Sequence, residues 1–133
     1  MDVRRHLILL ALVLAACGDN GSGDEAGAPT ATLTELETEI FAKSCTFAAC
    51  HKGASPAGGL NLEGMTHAKL VDVMATGVPR PLVVPGDPEG SYFYEKLTAT
   101  MPAVGDPMPP GAPLSATKLE MVRSWIAAGA ADD

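Results

Sequence analysis

The stretch Cys45-Thr46-Phe47-Ala48-Ala49-Cys50-His51 puts two thiols and an imidazole within seven residues, and most of what this chain can be turns on it. Several chemistries compete on residue type alone. A Cys45–Cys50 disulfide would close a short loop and leave His51 incidental. A zinc site would need a fourth ligand, which His67 could supply, but the spacing matches no standard zinc module. A redox dithiol ordinarily has two intervening residues and a thioredoxin-like βαβ context, which the flanking sequence lacks.

Outward from this stretch the pattern is helical. Leu33, Leu36, Ile40 and Phe41 recur at helical spacing behind Thr34-x-x-Glu37, a capping-box pattern, so a first helix is expected from about Glu35 toward Ser44. Lys52 to Met65 reads as a Gly-rich loop. Thr66 is placed to cap a second helix over about His67 to Ala75, with Leu70, Val73 and Met74 on one side. Val78 to Pro85 holds three prolines and reads as extended. Asp87-Pro88-Glu89 then opens a third helix, about Pro88 to Leu97. Thr98 to Pro113 is a 16-residue loop with five Pro and two Met, and so long a structureless connection points to a function. Ser115 caps a last helix, about Ala116 to Ala128, with Leu119, Val122, Trp125 and Ile126 apolar and Gly129 ending it. The expectation is all-α: about four short helices and long Gly/Pro-rich loops.

The other end of the chain reads as an address. Arg4 and Arg5 precede the apolar run Leu7 to Leu14, which is too short to span a bilayer needing ~20 residues. It fits a secretory signal peptide over residues 1–16. Leu14-Ala15-Ala16-Cys17 resembles the bacterial lipobox, which implies lipidation at Cys17; an ordinary leader with an incidental Cys is the competing reading. Residues 17–33 then form a flexible tether, and 34–133 the folded domain. The chain is expected to be exported and membrane-anchored, facing the periplasm or cell exterior, where thiols meet oxidants. Losing the leader leaves seven bases against fifteen acids, with no basic stripe, so nucleic acid is not an expected partner.

In an exported chain, the heptapeptide resembles the haem-attachment motif of c-type cytochromes, usually Cys-x-x-Cys-His. Here four residues separate the thiols instead of two. Residues five apart on a helix are turned by about 140°, so both sulfurs reach one porphyrin edge only if residues 46–49 leave the helix. Further short motifs fall in the order found in the planctomycete-type cytochrome c domain. They are Ile40-Phe41, Cys50-His51-Lys52-Gly53, Gly59-Leu60-Asn61-Leu62 and Val84-Pro85-Gly86-Asp87-Pro88-Glu89-x-Ser91. Met108-Pro109-Pro110, Leu114-Ser115 and Trp125-Ile126-Ala127-Ala128-Gly129-Ala130 complete the set.

That resemblance implies a class I cytochrome c-like fold around one covalent haem c. Cys45 and Cys50 would hold it, His51 would be the proximal ligand, and a Met from the loop ahead of the last helix the distal one. Met108 is the expected ligand and Met101 the runner-up, with His67 a remote third. Met65, Met74 and Met121 are expected to pack. Phe41 would meet Trp125 where the first and last helices cross, and Arg80 is a candidate partner for a haem propionate.

The expected function is electron transfer rather than enzymatic catalysis. The partners would be redox proteins of the respiratory chain or a periplasmic oxidoreductase, docking a basic surface on this acidic chain. Two alternatives stand beside it: a haem-free lipoprotein module with a Cys45–Cys50 disulfide, and a haem sensor or peroxidase-like protein with an open distal site. Composition leans toward a buried cofactor. With 14 Gly, 11 Pro and only six aromatic residues, the chain is short of large side chains to fill a core.

Overall fold

Thr32 starts the first helix. Its hydroxyl accepts from the Glu35 amide and the Glu35 carboxylate accepts from the Thr32 amide. This capping box lies two residues ahead of the Thr34–Glu37 pair expected from sequence. The structure, a computed structural model, describes residues 30–133; the leader, Cys17 and residues 18–29 of the tether lie outside the described residues. Ala31 and Leu33 are already buried in the core.

Helix α1 spans Leu33–Leu36 and continues as a π-helix over Glu37–Cys45. Bonding from i to i+5 widens the turn, so Leu36, Ile40, Phe41 and Cys45, four and five apart, share the buried face. The pattern carries on into Thr46, whose amide donates to the Phe41 carbonyl at 2.9 Å. A single 3₁₀ turn follows at Ala57–Gly59.

Helix α2 covers only Thr66–Leu70, shorter than the expected His67 to Ala75. Val71 is extended and Asp72 has φ 57°, so the helix cannot continue. The Pro-rich segment offers the competing partners. Asp72 and Leu82 donate to Val83 and Val73 at 3.0 and 2.7 Å, making isolated bridges from Val71 to Val83 and from Met74 to Pro81. β-branched Val71 and Val73 favour this exchange of helix bonds for bridge bonds.

Helix α3 covers Tyr92–Thr98 and starts four residues later than expected. Asp87 caps a turn instead: its carboxylate accepts from the Gly90 amide at 2.9 Å, and its carbonyl from the Ser91 hydroxyl at 2.7 Å. A Cβ at Gly90 would sit 2.2 Å from that carboxylate, so a larger residue there would displace the Asp87 side chain. Helix α4 covers Ala116–Ala127 behind its Ser115 cap, as read from sequence.

The four helices supply most of the core, with Val83 and a few other residues from the connections. Leu36, Ile40 and Phe41 meet Leu70, Val83, Phe93, Leu97, Val122, Trp125 and Ile126 in one cluster. Each such side chain contributes roughly 1.5–3 kcal/mol by leaving water. Phe41 makes its aromatic contact with Phe93, edge to face at 5.9 Å and 88°, rather than with Trp125 as expected. A buried indole N–H needs an acceptor. Trp125 finds it at the Ala131 carbonyl, 2.9 Å away, which ties the ring to the C-terminal segment. Among the described residues the regular structure is helical, with no strand and no helix long and apolar enough to cross a membrane.

Candidate functional site

Between the end of α1, helix α3 and the Pro-rich loop before α4 lies a cavity of about 350 Å³. That is within the usual range for a small-molecule or cofactor pocket. Cys45, Cys50 and His51 line it together with Met108, while Leu60, Leu62, Leu82, Phe93 and Leu97 give apolar walls.

The chain brings both thiols to this cavity by leaving the helix where the spacing requires it. The helical run ends at Cys45, and Thr46 adopts φ −95° and ψ 48°. The Cys50 amide then donates to Phe47 at 2.9 Å and the His51 amide returns to the Cys45 carbonyl at 3.0 Å. The loop is thus closed on itself, its two ends side by side.

His51 is oriented by its own second nitrogen. Nδ1 lies 3.0 Å from the Leu60 carbonyl. A carbonyl only accepts, so this contact puts the proton on Nδ1 and leaves the lone pair on Nε2. Histidines that ligate metals are held in this way. The Leu62 amide donates to the His51 carbonyl at 2.9 Å, fixing the backbone that supplies the acceptor.

Cys45 and Cys50 are free thiols. Burial, with Cys50 adding to it, pushes the Cys45 thiol up to about 11. It therefore stays protonated at neutral pH, the opposite of the depressed thiolate that drives a redox dithiol. Zinc fares no better. Among the described residues no three His, Cys, Asp or Glu side chains are grouped to hold a metal ion. His67, the candidate fourth ligand, instead places Nε2 2.9 Å from the Ala130 carbonyl, tying α2 to the C-terminal segment.

The methionines separate by position. Met108 is half-buried, packs against the core and lines the cavity. Met101 is 89% exposed and lies off it. Met121 packs against the core as expected, but Met65 and Met74 are exposed instead of packed. The early end of α2 accounts for Met74, and Met65 sits at φ 49° ahead of that helix.

Arg80, the propionate candidate, makes its contacts within the fold. Its guanidinium pairs with Glu95 and stands 5.4 Å from the centroid of the Tyr92 ring. Arg80 does not line the cavity; Lys96 is the one cation that does among the described residues. Sequence reading passed over Lys96 and Tyr92. Their signal was the spacing of Tyr92, Glu95 and Lys96, which puts three polar groups on one helix face.

Comparison of the chain with known protein families, with curated proteins and with solved structures finds no match.

Proposed function

We propose that this chain is an extracytoplasmic electron-transfer protein, a class I-like c-type cytochrome carrying one covalent haem. The observation that carries the reading is one apolar cavity lined together by Cys45, Cys50, the oriented His51 and Met108. The ordered short motifs of the planctomycete-type domain point the same way.

Bound haem supplies a one-electron couple at its iron. The chain's residues do the rest. Cys45 and Cys50 would hold the haem through thioether bonds, each formed by addition of S–H across a vinyl group with no net oxidation. His51 would offer its Nε2 lone pair to the metal, with the Leu60 carbonyl holding the ring at Nδ1 and raising its basicity. Met108 would offer a thioether as the second ligand, and the leucines and Phe93 would surround the group with apolar walls. A thioether ligand and low polarity favour the reduced state and raise the potential. Lipid at Cys17 would keep this domain at a membrane surface, and its acidic balance would suit a basic partner surface.

The test is a haem stain of the purified, denatured protein. Haem should stay with the polypeptide and be lost in the Cys45→Ser/Cys50→Ser double variant. A chain without covalent haem, with its two sulfurs joined in a disulfide by mass, would overturn the proposal in favour of a haem-free module.

A further inference from the structure

The loop that carries Met108 has almost no structure of its own. Between Thr100 and Pro107 its backbone makes no hydrogen bond to other backbone among the described residues. Its prolines lack donors, and Ala103 through Pro107 are exposed. Such a segment should be mobile unless side chains from elsewhere hold it.

Helix α3 provides those side chains. The buried Tyr92 hydroxyl donates to the Val104 carbonyl at 2.8 Å. The Lys96 ammonium donates to the same carbonyl at 3.0 Å and also to the Asp106 carbonyl. Two donors on one oxygen use both of its lone pairs. Gly105, at φ +68°, lets the carbonyls on either side of it face one ammonium. Next to Lys96 in α3, the Glu95 carboxylate accepts from the Ala103 amide at 2.7 Å. The Lys96 carbonyl accepts from the Met108 amide at 2.7 Å. One helix face therefore grips residues 103–108 at every second position or closer.

We propose that Tyr92 and Lys96 are positioning residues that hold Met108 at the cavity by clamping the carbonyls of Val104 and Asp106. The proposal rests on the reading of Met108 as distal ligand. Lys96 acts on the loop backbone, through the two carbonyls it binds. Its charge-assisted bonds restrict the loop, so the weak thioether ligand is presented with most of its conformational freedom already removed.

The experiment uses the full haem-loaded chain and two readouts. Lys96→Met and Tyr92→Phe are compared with the wild type, with Lys96→Arg as the conservative variant and Lys43→Met as a control for losing a surface cation. Hydrogen exchange at the two bonded amides of the loop, Ala103 and Met108, should rise in Lys96→Met and, less, in Tyr92→Phe, and remain low in Lys43→Met. Exogenous imidazole competes for the iron only when the thioether leaves. Its apparent affinity should therefore rise about tenfold in Lys96→Met, the weight of one hydrogen bond to a charged group, and fall back in Lys96→Arg.

Unchanged exchange at the Ala103 and Met108 amides in both variants overturns the clamp. So does raised exchange with unchanged imidazole affinity, because Met108 would then be held by something else. If Lys96→Met fails to fold, Tyr92→Phe, which removes one hydroxyl, decides on the same readouts. A wild type that binds imidazole as tightly as Met108→Ala overturns the ligand reading itself, and is told apart from failure of the clamp by the wild type alone.

Discussion

Leu33, the first residue of α1, donates its amide to the Asp133 carboxylate at 2.8 Å, a hundred residues away. The Thr34 amide and hydroxyl both donate to the Asp133 carbonyl, at 2.9 and 2.8 Å. Open amides at a helix start need acceptors, and here the far end of the chain supplies them beside the Thr32 box. Asp133→Ala should lower stability by about 1 kcal/mol, the usual weight of a lost capping group. Asp133→Asn should keep most of it. Equilibrium denaturation of the two variants checks this, and equal losses in both would show that the carboxylate oxygen is not what matters.

Phe41 and Phe93 meet edge to face in the core, and Phe93 also lines the cavity. Truncation of so buried a ring removes its transfer energy and leaves a void. Phe93→Ala should therefore destabilise the protein by about 3–5 kcal/mol. A double-mutant cycle with Phe41→Leu and Phe93→Leu should give a coupling of about 0.5–1.5 kcal/mol, the aromatic contribution beyond area. The same cycle run between Phe41 and Trp125 should show a smaller value.

Glu95 gives the pH dependence. The Arg80 guanidinium, and after it the Ala103 amide, hold its carboxyl below the usual carboxylate range, with Lys96 adding a little. A carboxyl depressed in the folded state stabilises the fold above its unfolded value, about 4.3, and that stability is lost as pH falls through the lower folded value. Wild type should thus be more stable than Glu95→Gln at pH 7, with the gap closing in acid. Denaturation midpoints of both proteins between pH 3 and 7 measure it; a gap that widens in acid would reverse the sign argued here.

How much of this was readable in the sequence differs from element to element. Helix α4 was legible because Ser115, the apolar spacing and Gly129 all agree on one answer. The start of α3 was not, since Asp87-Pro88-Glu89 carries the same local signals whether it caps a helix or a four-residue turn. Only the Ser91 hydroxyl, bonded to the Asp87 carbonyl and the Val84 amide, decides for the turn. The end of α2 was equally hidden, because the bridge from Val71 to Val83 is a tertiary competitor that helical periodicity does not register. The site was clearer than the fold around it. Cys45, Cys50, His51 and Met108 were named from the chain and line one cavity, whereas Lys96 and Tyr92 act on backbone carbonyls of a loop, and a main-chain acceptor leaves no mark in a sequence.

Met108 and Met101 offer the sharpest test of the site, because they share a loop and differ in almost nothing but place. Both precede a proline in the segment between α3 and α4. Met108 faces the cavity and its amide is fixed on Lys96; Met101 stands 89% exposed with no wall beside it. In the haem-loaded protein, Met108→Ala should remove the thioether–iron absorption band of the oxidised form while leaving the haem covalently attached. The reduction potential should fall with it, since a thioether ligand raises the potential. Met101→Ala should leave band, potential and stability within the small range of ordinary surface substitutions, about 0.5 kcal/mol. A band that survives Met108→Ala and disappears in Met101→Ala would mean that residues 99–107 swing inward on loading, against every contact that α3 makes with them.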